Sequence, residues 1–220
     1  MANNGNSRLK SCASSSPQIT NAAEYFSGLA QVFQRLPHEQ VDRICDVLLR
    51  AHEESRRVFI FGNGGSAALA SHLACDLGKG ATERIHEGRR FRVIALTDSV
   101  PMMTAWANDS SYEDIFAEQL RNLVEAGDLV FAISASGNSP NVLKALALAR
   151  REDAFCVGLT GFAGGKMKNL CDLCLVVPSD NMQLIEDVHL SIAHALFTTI
   201  RHRLENGLAL ANAKFATAAP

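Results

Sequence analysis

The chain has 220 residues, a formal net charge of −2 and 47% hydrophobic residues. That length suits one domain with a well-buried core. No apolar run approaches the roughly 18 residues that a membrane-spanning helix needs, and no block of Lys and Arg attracts nucleic acid or an anionic membrane. The composition therefore predicts a cytoplasmic globular protein that binds neither a membrane nor nucleic acid.

Three segments are predicted along the chain. Residues 1–16 are expected to be a disordered leader, because they are polar and lack the apolar stretch of a secretory signal. Residues 17–207 are predicted to form a single domain, and the alanine-rich residues 208–220 a flexible tail. Cys171 and Cys174 form a C-x-x-C pair without a second ligand pair nearby. Since Cys174 lies inside an apolar run, we interpret the pair as core packing rather than zinc or redox chemistry.

The hydrophobic pattern changes once along the chain. Apolar residues at helical spacing predict helices over residues 19–36 and 39–54. Five apolar runs of strand length follow, at residues 58–61, 91–96, 129–133, 155–159 and 173–177. Further helices are predicted over residues 66–77, 112–124, 139–151, 166–170 and 183–206. Continuous apolar strands that alternate with helices indicate an α/β fold, in which helices flank a five-stranded parallel sheet.

Two polar loops follow the first and third predicted strands, and both open a helix. The first is Gly62-Asn63-Gly64-Gly65-Ser66, and the second is Ser134-Ala135-Ser136-Gly137-Asn138-Ser139. Ligands of parallel sheets bind at the carboxyl ends of the strands, and a glycine-rich turn before a helix N-terminus favours an anion. A turn with a helix N-cap would explain one serine of the second loop, but not three. The sequence therefore predicts a phosphate site at these loops.

A nucleotide cofactor is the competing interpretation of the first loop, since Gly62-x-Gly64-x-x-Ala67 fits the dinucleotide fingerprint. That fingerprint requires an acidic residue about 20 residues further on, at the end of the second strand. Here the second strand ends near Asp98, more than 30 residues after Gly64. No Gly-Lys-Ser/Thr follows either, which excludes a Walker A loop. We therefore expect no nucleotide cofactor.

Several motifs together resemble the phosphoheptose isomerases, a family with the sugar-isomerase (SIS) domain. FIFGNGGSAALASHLACD at 59–76 resembles the first motif of the family, and ISASGNS at 133–139 resembles its phosphate loop. LTGFAGGKM at 159–167, Ala107-Asn108-Asp109 and the pair His189 and His194 match further segments. The similarity runs in order over about residues 20–203.

This resemblance implies a flavodoxin-like SIS fold with an N-terminal helical extension, and an aldose–ketose isomerase. It also implies a homotetramer whose active sites lie at subunit interfaces. The implied substrate contacts lie in both loops, in the segment after the second strand and on the last helix: Asn63, Gly64, Gly65, Ser66, Asp76, Asn108, Asp109, Ser134, Ala135, Ser136, Ser139 and Glu186.

Four side chains are candidates for acid–base or metal chemistry. His72 and Asp76 are i,i+4 on one helix, so they lie on one face and can share a proton relay or a divalent ion. The resemblance adds Glu186 and His194; it implies Asp76 and His194 as catalytic residues and all four as zinc ligands. Eight residues of a regular helix span about 12 Å, so Glu186 and His194 can bind one ion only from different subunits or through an irregular helix.

Three positions depart from the family pattern, since Asp76 replaces its Glu, Glu186 its Gln and Gly80 an Arg. Isomerisation through an enediol needs a carboxylate base, an acid and a phosphate anchor, which Asp76, His194 and the serine loop supply. We predict conversion of sedoheptulose 7-phosphate to D-glycero-D-manno-heptose 7-phosphate. The alternatives are an isomerase of another sugar phosphate, or a non-catalytic sugar-phosphate-binding or replication-initiator-associated SIS protein.

Overall fold

The computed structural model describes residues 19–80 and 89–216, with the backbone alone for residues 208–216. The predicted leader at 1–16 lies outside this part of the chain. The helices of the described part are α1 Ala22–Gln34, α2 His38–Glu53, α3 Gly65–Cys75, α4 Val100–Asp109, α5 Ala117–Arg121, α6 Pro140–Arg151 and α7 Met182–Ala216. The strands are β1 Arg57–Gly62, β2 Arg92–Ala95, β3 Leu129–Ile133, β4 Phe155–Thr160 and β5 Leu173–Val176.

The five strands form one parallel sheet in the order β2-β1-β3-β4-β5. This confirms the predicted α/β fold. Nearly every residue of β1, β3 and β4 is buried, because helices cover both faces of the sheet and both sets of alternating side chains must be apolar. The strand order reverses between β1 and β3, which opens a crevice at their carboxyl ends.

Two apolar cores lie on opposite faces of the sheet. One core packs the strands against α1, α2, α3 and α7, so the N-terminal helices belong to the same unit as the last helix. The other core packs the strands against α5 and α6, with the rings of Phe61 and Phe116 stacked 5.1 Å apart. The carboxyl ends of β1 and β3 therefore lie between two fixed helical layers.

Two helices differ from the sequence prediction. The pattern missed α4 because its contact with the core is weak: none of its residues, all of them within the described part, is fully buried, and Met103, Trp106 and Ala107 are only partly buried against the core. Helix α7 continues to Ala216 rather than ending near residue 206, because its alanine- and leucine-rich end has high helix propensity. The domain boundary predicted at 207 thus falls inside this helix. None of the helices in the described part is long and apolar enough to cross a membrane.

The predicted helix over 112–124 is interrupted. It consists of a 3-10 turn at Tyr112–Asp114 followed by the short helix α5. The Ser111 hydroxyl donates a hydrogen bond to the Asp114 carboxylate over 2.8 Å. Such local side-chain bonds compete with a regular helical start, and periodicity does not reveal them.

His189 of α7 is a buried titratable group that faces the sheet. Its Nε2 lies 3.2 Å from the carbonyl oxygen of Thr160, while its Nδ1 has no hydrogen-bond partner among the described residues. Burial disfavours the charged imidazolium and lowers the pKa of His189 to about 4. The side chain is therefore neutral in the folded protein at neutral pH.

The stability of the folded protein should fall as the pH decreases from about 6.5 to about 4. In that window the unfolded chain takes up a proton at residue 189 that the folded chain does not, which costs up to about 3 kcal/mol. His189→Gln should flatten this part of the pH dependence, measured by urea unfolding at several pH values. His38→Gln, which changes an exposed histidine at the start of α2, is the control. Equal slopes for wild type and His189→Gln would contradict the assignment.

Candidate active site

The two polar loops meet because β1 and β3 end side by side. Gly62, the last residue of β1, pairs with Ile133, the last residue of β3. A Cβ atom at Gly62 would lie 2.6 Å from the Ile133 carbonyl oxygen and 2.7 Å from the Ser66 Cβ. Only glycine fits this junction of strand, turn and helix. The first loop therefore lies against the start of the second.

The serines of the second loop face one another. Ser139 occupies the N-cap position of α6, but its side chain makes no capping hydrogen bond within the described part of the chain. Its hydroxyl lies 3.3 Å from that of Ser134 instead. The Ser136 hydroxyl accepts a hydrogen bond from the Asn138 amide over 3.2 Å and keeps its own proton to donate. Turn formation and capping leave these hydroxyls available, as a phosphate site requires.

A turn that contains Gly164 and Gly165 packs against the backbone of the serine loop. The Gly137 backbone has φ +63, and a Cβ there would clash with the carbonyl group of Gly164. A Cβ at Gly165 would likewise lie only 2.5 Å from the carbonyl oxygens of Ser136 and Gly137. The Met167 amide donates to the Gly137 carbonyl oxygen over 3.0 Å. The motif at 159–167 thus holds the serine loop by direct backbone packing.

Asn63 of the first loop forms a reciprocal amide pair that sequence reasoning missed. Its Nδ2 donates to Oδ1 of Asn141 over 2.9 Å, and its Oδ1 accepts from Nδ2 of Asn141 over 2.8 Å. The Tyr112 hydroxyl also donates to this oxygen, over 3.1 Å. Asn141 is 2% exposed and lies in the first turn of α6, so it connects the glycine loop to the helix that follows the serine loop.

Asn108 and Asp109 lie at the carboxyl end of α4, and both are exposed. The Asn108 Nδ2 donates to the Asp109 carboxylate over 2.8 Å. The following residue, Ser110, donates to Asp114 over 2.7 Å, and Asp114 forms an ion pair with Lys144 of α6. The Lys144 ammonium and the serine hydroxyls lower the pKa of Asp114 to about 2. These bonds tie the end of α4 to α6 near the loops.

Three of the four acid–base and metal candidates lie together at the carboxyl end of α3. The ligand atoms of His72, Asp76 and His194 all lie within 4.8 Å of one another. The Nε2 of His72 is 3.4 Å from a carboxylate oxygen of Asp76, and the two imidazole rings stand edge to face with centroids 5.1 Å apart. Both histidines are exposed and Asp76 is half-buried. Two imidazoles and a carboxylate are a donor set that zinc accepts, so these residues fit the predicted ion.

Asp76 stands at the end of the regular part of α3, four residues after His72, and its amide donates to the His72 carbonyl oxygen. The predicted helix over 66–77 ends as an α-helix at Cys75, and a π-helical turn covers Asp76–Gly80. A Cβ at Gly80 would lie 2.9 Å from the ring of Phe197 on α7, so glycine permits close packing of this turn on the last helix. A larger residue at position 80 would have to displace that ring, so glycine at this departure from the family pattern fits the packing.

Glu186 lies apart from the three clustered side chains within one chain, as its eight-residue spacing from His194 predicts. A Cβ at Gly65 would lie 3.2 Å from a Glu186 carboxylate oxygen, so Glu186 lies beside the first residue of α3. It lines a cleft of about 280 Å³ between α3 and α7, and His72 lies along the same cleft. The regular rise of α7 keeps Glu186 about 12 Å from His194 along the axis. The positive end of the α3 dipole stabilises the carboxylate there.

The fold and these loops define a protein with a sugar-isomerase domain. Residues 24–161 match the family model described as the SIS domain. The chain is 39% identical over 168 residues to the phosphoheptose isomerase of Helicobacter hepaticus, covering 76% of this chain and 84% of the relative. It is 37% identical over 191 residues to the phosphoheptose isomerase of Akkermansia muciniphila, covering 86% and 96%.

A solved structure agrees with these relatives. The phosphoheptose isomerase of Neisseria gonorrhoeae is 30% identical to the chain and superposes with a TM-score of 0.74, over 81% of this chain and 95% of that structure. The chain belongs to the phosphoheptose isomerase family. The resemblance drawn from the sequence motifs is confirmed.

Asn141→Ala should destabilise the protein more than Tyr112→Phe does. The first change removes both bonds of the buried amide pair and should lower the free energy of unfolding by about 1–3 kcal/mol. The second removes one bond from an exposed hydroxyl and should cost about 0.5 kcal/mol or less. Urea unfolding of both variants and wild type measures the difference. Equal losses of unfolding free energy in the two variants would contradict this assignment, in which Asn63 makes two hydrogen bonds with Asn141 and one with Tyr112.

Proposed function

We propose that this protein is an aldose–ketose isomerase that converts sedoheptulose 7-phosphate to D-glycero-D-manno-heptose 7-phosphate through an enediol. The observation that carries the proposal is the position of Asp76 between His72 and His194. Asp76 is the base that moves the proton between C1 and C2 of the sugar. His194 exchanges a proton with the sugar oxygen, because an imidazole both gives and takes protons near neutral pH.

The serine loop is the phosphate anchor in this proposal. The hydroxyls of Ser134, Ser136 and Ser139 and the backbone of Ala135 bind the phosphate at the start of α6, where the helix dipole favours an anion. The start of α3 already has the carboxylate of Glu186 beside it, so a phosphate there would meet a like charge. Asn63, Gly64, Gly65, Ser66, Asn108, Asp109 and Glu186 contact the sugar hydroxyls.

The span of α3 supports a long substrate. His72 lies seven residues beyond Gly65, which corresponds to about 10 Å along the helix axis. A seven-carbon sugar that is phosphorylated at its last carbon holds the phosphate and the reacting carbons at opposite ends. The separation between the loops and the acid–base cluster suits such a molecule.

We also propose a resident zinc ion held by His72, Asp76 and His194. When bound, zinc supplies Lewis-acid polarisation of the sugar carbonyl. The active protein is a homotetramer in the cytoplasm with sites at subunit interfaces. The exposure of both cluster histidines supports this assembly, because proton transfer at a sugar carbon is best protected from water by a second subunit. In such an assembly, Glu186 of another subunit can complete the ligand set.

The alternative of a non-catalytic or replication-initiator-associated regulator is not favoured. A binding protein has no need of a carboxylate beside two imidazoles, and two relatives that match at least 76% of the chain are phosphoheptose isomerases. The direct test is to incubate the protein with five-, six- and seven-carbon ketose phosphates and to detect aldose by NMR. Turnover that is fastest with sedoheptulose 7-phosphate is expected, and absence of any aldose would refute the proposal.

Asp76→Asn should lower turnover by about 10²- to 10⁴-fold with little change in substrate affinity, because it removes a general base. Asp76→Glu should retain much more activity, since it keeps the carboxylate that the family uses. The readout is solvent deuterium exchange at C1 or C2. Glu39→Gln, which removes an exposed carboxylate of α2, is the control. Exchange at the wild-type rate in Asp76→Asn would place the base elsewhere, with His194 as the next candidate.

Zinc should copurify with the wild-type protein when chelators are omitted, and His72→Ala should retain far less. Elemental analysis measures both, with His38→Ala as the control for loss of an exposed histidine. Glu186→Gln reports on the fourth ligand, since loss of zinc in that variant requires a contribution from another subunit. Equal metal content in wild type and His72→Ala would remove His72 from any metal site.

A further inference from the structure

The C-x-x-C pair lies at the open edge of the sheet, where β5 pairs with β4. Cys174 of β5 lies directly opposite Gly158 of β4. A Cβ at Gly158 would lie 2.8 Å from the sulfur of Cys171, 3.2 Å from that of Cys174 and 3.0 Å from the terminal carbon of Met167. Both cysteine sulfurs therefore occupy the space that the missing side chain of Gly158 leaves.

The two thiols share one space. Both sulfurs lie within 3.2 Å of the position that a Cβ of Gly158 would take. Both side chains are half-buried, whereas Cys156 on the same face is fully buried. Both cysteines pack against the core on this face of the sheet, and β5 is the last strand of the sheet. Core packing and a partly exposed pair of thiols therefore occur together at this edge.

The chemistry of the pair is asymmetric. The neighbouring Cys171 thiol and the Lys168 ammonium both lower the pKa of Cys174. The neighbouring Cys174 sulfur, together with burial, raises the pKa of Cys171. Cys174 is thus the thiolate that attacks first, and Cys171 is the thiol held within reach of it.

We propose that Cys171 and Cys174 are a redox modification site that forms a reversible intramolecular disulfide. The oxidant is a low-molecular-weight disulfide such as oxidised glutathione. The Cys174 thiolate attacks one of its sulfurs, forming a mixed disulfide and releasing one thiol. Cys171 then loses its proton and attacks the Cys174 sulfur, which releases the second thiol. Two protein thiols are oxidised to one disulfide, and the small disulfide is reduced to two thiols that carry the two protons.

The disulfide also affects the serine loop, and this part rests on the proposed function. Cys171 directly follows the 3-10 turn Lys166–Asn169, and its amide donates to the Met167 carbonyl oxygen over 3.2 Å. In the same turn, the Met167 amide donates a hydrogen bond to the Gly137 carbonyl oxygen. The Lys166 amide donates to the side-chain oxygen of Asn138 over 3.1 Å. Drawing Cys171 into a covalent bond displaces the turn that holds the phosphate loop.

The test uses the full-length protein in glutathione buffers of increasing oxidised fraction, followed by alkylation, intact mass measurement and peptide mapping. We expect loss of the mass of two hydrogen atoms, a peptide pair linked through Cys171 and Cys174, and full reversal by dithiothreitol. Cys171→Ser and Cys174→Ser should abolish the link, while Cys75→Ser, which removes an exposed thiol of α3, should retain it. A stable glutathione adduct on Cys174, a link to Cys156, or no link at all would overturn the proposal.

The effect on the loop is measured separately with inorganic phosphate as the probe, by isothermal titration of oxidised and reduced wild type. Loss of one supporting hydrogen bond corresponds to about twofold to tenfold weaker binding in the oxidised protein. Cys171→Ser should show no such change under the same oxidant. A disulfide with unchanged phosphate affinity would overturn the coupling. Absence of phosphate binding in the reduced protein would instead refute the loop assignment of the proposed function and leave the mass result standing.

Discussion

The pairing of Gly62 with Ile133 is the contact on which the site depends. It aligns the carboxyl ends of two neighbouring parallel strands, so the loops that leave them emerge at one point, and α3 and α6 begin side by side. The missing side chain at Gly62 allows the Ile133 carbonyl and Ser66 to approach within distances that no Cβ would permit. The strand order of the described sheet reverses here, and such a reversal is where ligands of open parallel sheets bind.

Helix α7 fixes the distance between the two ends of the site. It packs along α3, with Glu186 beside the first residue of α3 and His194 beside the residues at its end. Because both helices rise about 1.5 Å per residue, the carboxylate and the acid–base cluster are held at a fixed separation. This arrangement distinguishes the two ends of a substrate: one end of the cleft is anionic, and the other carries groups that exchange protons. Glu186 therefore makes the start of α3 less favourable for an anion than the start of α6, whose first turn contains no acidic residue.

How far the sequence predicts the structure depends on whether the signal is local. The run at 129–133 predicts β3 with its observed bounds, because five buried residues are followed directly by polar loop residues. Helix α4 gives a weaker signal, since its Met103, Trp106 and Ala107 are only partly buried against the core. The Asn63–Asn141 pair joins positions 78 residues apart, and an asparagine at the start of a helix already has an ordinary explanation as a cap. The proximity of Cys171 to Cys174 depends equally on a distant glycine, because Gly158 leaves the space that both sulfurs fill.

Two of the departures from the family pattern act at the same place. Aspartate is one methylene shorter than the glutamate it replaces, so Asp76 needs its backbone close to its partners. Regular helical spacing supplies this for His72, and the carboxylate lies within 4.8 Å of the ligand atoms of His72 and His194. Gly80 ends the π-helical turn that begins at Asp76, and its missing side chain lets this turn pack on Phe197 of α7. The departure at position 80 therefore concerns the packing of α3 on α7, and the departure at position 76 the reach of the acid.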